Sequence, residues 1–372
     1  MTDDQGHYRL IGLPTAPAYR IFVEPRNSGP YLKAAFRAAV DTPAFEPVTF
    51  DIKLKRGVLV RGKVTDKLTG EPVFVMVDVF AFADNPHLRE FPGFQSGSLA
   101  HFAAVGGRYE IVAPPGRDII AAATMGYPDR YRRSVGAKAI KGYDPKTGFR
   151  TLPEMLVASN YNVMTEIDLD PKVETVEIDL QLDAGRTVTV NPVDSDGHPV
   201  AGTTALGVGE LPNEYPQATS EIQIFGLDPS QPRRVIVKHV GRKLIGTAYL
   251  KGDEIGPLTM KLQPYGTITG RIVDNEGRPR AGVGISSTGG SMPERSAEQG
   301  ILPVGDISGG IRLGSDGRFR IEGLVPGLKY DAVASGKFTK QGFTYLGELF
   351  QDVILVPGEI KDLGDIKPRN RF

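Results

Sequence analysis

The chain contains no cysteine, which excludes disulfides, thiolate metal sites and cysteine nucleophiles. It has no tryptophan either, the ring on which sugar-binding platforms most often rely. Its 44 Lys and Arg are balanced by 44 Asp and Glu, so no net field draws it to nucleic acid or anionic lipid, and no nucleic-acid partner is expected. No apolar run reaches the roughly 18 residues that a membrane span needs, and no charged-then-apolar leader opens the sequence. Membrane attachment is expected only through a segment upstream.

What the sequence has in abundance is glycine and proline, 45 and 29 of 372 residues, without a collagen-like period. That composition fits many short strands joined by turns. The length suggests two to four domains.

Self-similarity organises the chain. The opening stretch TDDQGHYRLIGLPTAPAY aligns without a gap to GSDGRFRIEGLVPGLKY, pairing Gly6 with Gly317, Tyr8 with Phe319, Arg9 with Arg320, Leu10 with Ile321, Gly12 with Gly323, Leu13 with Leu324 and Tyr19 with Tyr330. Weaker copies are GGRYEIVAPPG from Gly106 and EIQIFGLDP from Glu221. Each couples a glycine turn to period-two alternation, which predicts a strand with one buried face. A second element precedes three of the four copies: GVLVRGKVTDKLTGEPV from Gly57, GRTVTVNPVDSDGHPVAG from Gly185 and GTITGRIVDNEGRPRAG from Gly266. There a strand ends in an Asp and a glycine turn, the chemistry of a hairpin. A closing element follows each copy: VTFDIKLKRG, VETVEIDLQLDAG, PLTMKLQPYG and ILVPGEIKDLGDI.

The expected fold is therefore all-β: tandem antiparallel Greek-key β-sandwiches, transthyretin-like or Ig-like, packed end to end as a semi-rigid rod. The expected boundaries are a partial module at 1–56, with its N-terminal strands missing, and modules at 57–184 (with long insertions), 185–265 and 266–372. A short helix is expected at 31–40. The first module is expected to be cut between its opening turn and its core hairpin, as in a piece of a longer protein.

The pair GRIVDNEGRPRAGV and SDGRFRIEGLVPG, from Gly270 and Ser315, resembles the carboxypeptidase regulatory-like domain, a transthyretin-like sandwich. The series of modules is also similar to the multi-module C-terminal tails of large planctomycete-type bacterial proteins. The resemblance implies a non-catalytic accessory region and an extracytoplasmic location, in the cell envelope or secreted. It carries over no catalytic residues.

Five histidines leave little for metal chemistry. His87 and Glu90 form the HxxE spacing of a zinc site, and a metallohydrolase built on them is one alternative, but the pair lies in a Pro-rich insertion. His198 occupies the turn position of Arg278. The turns Asp194-Ser195-Asp196 and Asp274-Asn275-Glu276 offer calcium-type oxygens, although turn formation alone explains them. STGGSMPERS, from Ser287, offers backbone N–H groups to an anion or is simply a loop. No nucleophile elbow, phosphate loop or dinucleotide fingerprint is present, so no enzyme activity and no cofactor are expected.

The strongest local anomaly is the insertion at 126–150, GYPDRYRRSVGAKAIKGYDPKTGFR, with seven basic residues against two acidic ones. Basic groups interleaved with aromatics grip phosphate or stack on sugars and bases; the alternative is a solvated loop packed on its own module. Tyr127, Arg130, Tyr131, Arg132, Arg133, Lys138, Lys141 and Tyr143 form the candidate partner surface. The expected role is a spacer or protein-interaction region whose partner is another protein or an upstream domain of the same polypeptide. A glycan- or anionic-polymer-binding tail is the alternative.

Overall fold

A computed structural model describes residues 2–25, 29–40, 46–97, 101–102, 106–126, 128–144, 148–149, 152, 156–211, 213–287, 298–300, 302, 311–339 and 342–369. They form two compact units, Met1–Gly126 with Arg133–Ala184, and Tyr127–Arg132 with Gly185–Phe372.

The first unit holds a two-stranded ribbon and one complete sandwich. In the sandwich, the opening strand Val58–Asp66 lies at the centre of one sheet, antiparallel to the core strand Arg108–Ala113 and parallel to the closing pair Thr175–Glu177 and Leu180–Leu182. The facing sheet runs in the order Val163–Leu169, Gly116–Thr124, Val75–Ala81, His101–Phe102. Alternation decides which side chains point inward: Val58, Val60 and Val64 of the opening strand are buried, as are Tyr109, Ile111 and Ala113 of the core strand.

The second unit repeats this plan twice. The opening strands Arg186–Val193 and Gly266–Ile272 each take an antiparallel core strand, Ile222–Leu227 or Arg318–Leu324, and a parallel closing strand, Leu258–Lys261 or Ile360–Ile366. The all-β sandwich fold is thus present three times, antiparallel except where the closing strand returns beside the opening one.

Each opening strand is stopped by the same device. The Asp66 Oδ1 accepts the N–H groups of Leu68 and Thr69 at 2.8 and 2.9 Å, the Asp194 Oδ1 those of Asp196 and His198 at 3.1 and 3.0 Å, and the Asp274 Oδ1 those of Glu276 and Arg278 at 3.0 and 2.8 Å. A side-chain oxygen that satisfies the turn's own donors fixes where the strand ends.

The ribbon pairs Ala18–Val23 with Ala34–Ala39 in antiparallel register, Tyr19 opposite Ala38 and Ile21 opposite Phe36. The helix expected at 31–40 is therefore a strand. AAFRAA is made of good helix formers, but six residues do not repay helix nucleation. Pairing with the preceding strand and donation from the Ala35 N–H to the Gly93 carbonyl at 2.7 Å satisfy the backbone instead.

Candidate functional site

The described residues of the basic insertion fall in both units. Tyr127 lies outside the described residues. The stretch from Pro128 to Arg132 belongs to the second unit, against the core strand Ile222–Leu227. Asp129 is buried and its Oδ1 accepts the Tyr131 N–H at 3.1 Å. The carbonyl of Tyr131 passes over Gly226, the Arg132 guanidinium pairs with Asp228, and the Arg130 guanidinium stands 5.3 Å from the centre of the Phe225 ring.

From Arg133 onward the chain belongs to the first unit and caps its second sheet. The N–H groups of Ser134 and Val135 donate to the carbonyls of Tyr161 and Asn162 at 2.8 and 3.2 Å. Ala137 and Ile140 are buried in a cluster with Phe80, Phe82 and Met164. Tyr143 packs on Phe149 with ring centres 5.1 Å apart, and Arg133 donates to the Ser159 carbonyl at 3.1 Å. The Lys141 N–H donates to Glu166 at 3.2 Å, while the side chains of Arg130, Lys138 and Lys141 are exposed. Of the eight candidates, then, Tyr131, Arg132, Arg133 and Tyr143 are half-buried in the fold, and the three exposed cations are divided between the units.

The metal-type motifs close on themselves. His87 lies in the short 3-10 turn Pro86–Glu90, and its Nδ1 is 3.0 Å from Glu90 Oε1. Asp194, Asp196 and His198 bring their ligand atoms within 4.8 Å of one another. The Asp194 Oδ2, however, already accepts from the Arg242 guanidinium at 2.7 Å, and its Oδ1 holds the turn. In the matching turn Arg278 binds Asp274 and Glu276, at 2.8 Å each, which puts a cation where a metal would sit. Of the Ser287 loop, residues 288–297 lie outside the described residues.

Two acids that sequence inspection passed over are buried in the second sheet of the first unit. Asp118 is 0% exposed, and removal from water pushes its carboxyl up to about 9 against a single donor, the Asn85 amide at 3.2 Å. Asp78 is 2% exposed; burial raises it too, and the Tyr161 hydroxyl donates to its Oδ2 at 2.8 Å. Asp78 lines a cleft of about 230 Å³ together with Tyr31, Gln95, Glu110 and the Lys33–Glu24 ion pair. The only signal in the sequence was an aspartate inside an apolar run, VMVDVFA or RDIIAAA. A neutral buried carboxyl acts as a hydrogen-bond partner within the sheet, and here its partners are structural side chains.

No protein-family model matches the chain, and no curated protein matches it. Among solved structures it is similar to the Bacillus anthracis TIE protein, at 11% identity and a TM-score of 0.22, over 91% of this chain and 55% of that one. It is also similar to a streptococcal ancillary pilin, at 12% identity and 0.21, over 84% and 99%. The full-length major pilin SpaD of Corynebacterium diphtheriae gives 9% identity and 0.23, over 86% and 99%. At such scores none of these likenesses bears on the role of the chain.

Proposed function

We propose that the chain is a non-catalytic accessory region of a larger bacterial protein, a spacer or protein-interaction segment of carboxypeptidase regulatory-like modules at 1–56, 57–184, 185–265 and 266–372. Its partner is another protein or a domain of the same polypeptide. A location outside the cytoplasm belongs to the same proposal and rests on the sequence resemblance.

The observation that supports it is the junction inside the second unit. Only Tyr265 separates the last strand of one sandwich, Gln263–Pro264, from the first strand of the next. Ile245, Tyr265 and Val325 are buried together there, with Ile236 and Leu328 against them. The Arg234 guanidinium donates to the Gln299 carbonyl, and the Gly358 N–H donates to the Pro264 carbonyl at 3.1 Å. A short linker over an apolar interface holds consecutive sandwiches in one orientation, as a spacer requires. Of the arginines that polymer binding through the insertion would use, Arg132 is paired with Asp228 and Arg133 donates to the Ser159 carbonyl.

The absence of cysteine makes the test direct. Spin labels on Glu221→Cys and Asp316→Cys, one in each sandwich of the second unit, should give a single narrow distance distribution by pulsed electron resonance. A broad distribution would remove the spacer role.

A further inference from the structure

The tripeptide Ser-Asp-Gly occurs twice, once from Ser195 to Gly197 and once from Ser315 to Gly317, and the sequence has no other Asp-Gly step. Such a step carries its own chemistry. The glycine amide nitrogen attacks the side-chain carboxyl carbon of the aspartic acid; an N–C bond forms, and the amide hydrogen leaves with the carboxyl hydroxyl as water. The five-membered imide that results takes up one water at either of its two carbonyls. Opening on one side restores aspartate. Opening on the other routes the main chain through the side-chain carbon, as isoaspartate, with no net change in mass. Glycine favours the reaction because no Cβ obstructs the swing of its backbone, but the carboxyl must also be free to meet the nitrogen.

Folding gives the two copies opposite parts. At the first, the turn is held by Asp194, whose Oδ1 accepts the N–H groups of Asp196 and His198. Asp196 itself is exposed, and its side chain has one contact among the described residues, the Ser195 hydroxyl at 3.5 Å. At the second, the aspartate of the tripeptide is the holder. The Asp316 Oδ1 accepts the Arg318 N–H at 3.1 Å, and its Oδ2 lies 3.6 Å from the Arg318 guanidinium.

The glycines differ in the same sense. Around the place that a Cβ of Gly197 would take there is nothing within 4 Å, whereas at Gly317 that place is 2.6 Å from the Ile272 carbonyl oxygen and 3.3 Å from Pro279. One contact is common to both: each glycine N–H donates to the carbonyl three residues back, at 3.2 Å to Asp194 and 3.1 Å to Gly314. It therefore does not separate them.

We infer that Asp196 is a modification site at which the folded chain converts itself to isoaspartate, while Asp316, in the same tripeptide, is protected by its turn. The consequence follows from the position. The added main-chain carbon falls between the two N–H groups that the Asp194 Oδ1 holds, so one oxygen no longer reaches both. The bond from the Asp194 N–H to the His198 carbonyl at 2.9 Å spans the same step and is lost with them. The opening strand Arg186–Val193 then loses its stop, next to Val190 and Val200 in the core. None of this rests on the spacer role, so the spin-label experiment and the one below fail independently.

The test is to age the full chain, folded and in parallel in urea, at mildly acidic pH, then digest it and resolve aspartyl from isoaspartyl peptides by chromatography against synthetic standards. In the folded chain isoaspartate should form several-fold faster at Asp196 than at Asp316. In urea the two rates should converge, because the tripeptide is the same. Asp196→Glu, which would need a six-membered ring and keeps the bonds of Asp194, should show no isomer at that position and an unchanged urea midpoint. The isoaspartyl fraction should unfold at lower urea than the unaged chain. Equal rates at the two sites in the folded chain, a faster rate at Asp316, or an isoaspartyl fraction as stable as the unaged chain would overturn it.

Discussion

The Asn85 side-chain amide donates to the Asp118 carboxyl at 3.2 Å inside the second sheet of the first unit, and it also donates to the Pro115 carbonyl at 2.9 Å. One divided donor does not replace the water that Asp118 loses on burial, so the acid stays protonated at neutral pH. Its folded value of about 9 lies above the unfolded value near 3.9, so folding takes up a proton. The stabilisation is complete below pH ~4 and is lost as the pH rises toward 9, at about 1.4 kcal/mol per pH unit in the ideal limit. Asp118→Asn should flatten this fall, leaving a residue from Asp78, which is raised in the same direction. Urea midpoints at pH 5 and pH 8 measure it; an unchanged slope in the variant would show that Asp118 is ionised in the fold.

Gly62→Ala should destabilise the first unit by more than about 2 kcal/mol, because the new methyl meets the backbone carbonyl of Ile178 at 1.9 Å and backbone cannot step aside cheaply. Gly197→Ala, with φ +84° and open space around it, should cost only about 1 kcal/mol, for the strained backbone alone. Denaturant unfolding of the two variants side by side checks the ranking.

Arg132 and Asp228 form a half-buried ion pair. A double-mutant cycle over Arg132→Ala and Asp228→Ala should give a coupling of about 1 kcal/mol that persists in high salt, since screening acts less on partly buried charges. A coupling near zero would mean that the segment from Pro128 to Arg132 is held by its backbone alone.

Ile245→Ala at the junction should cost about 2–4 kcal/mol in the second unit, the range for a large side chain truncated in a core. It should also widen the spin-label distance distribution between the two sandwiches. A loss of stability with an unchanged distribution would show that the backbone contacts from Arg234 and Gly358 suffice to hold the junction.

Much of the architecture was legible because the repeat is local. Tyr19 and Tyr330, aligned in sequence, make the same bond five residues back, the Tyr19 hydroxyl to the Pro14 carbonyl at 2.6 Å and the Tyr330 hydroxyl to the Val325 carbonyl at 3.2 Å. The Asp-Gly turns after the opening strands close as their chemistry dictates. The strand at Ala34–Ala39 was not legible, because its partners, Ala18–Val23 and Gly93, lie outside its own window. Nor was the division of the basic insertion, since the aspartate that takes Arg132 lies 96 residues away.

The sequence by itself determined the all-β class, the alternation that assigns each strand an inner face, and the turns, all of which depend on interactions within a few residues. Tertiary structure alone decided three things: that the closing strand runs parallel to the opening one, that Asp78 and Asp118 are buried, and that the Tyr8 hydroxyl reaches the Phe50 carbonyl 42 residues on. Each depends on groups far apart in the chain arriving at the same place, and the free energies involved, desolvation and long-range pairing, arise only once the sheets have assembled.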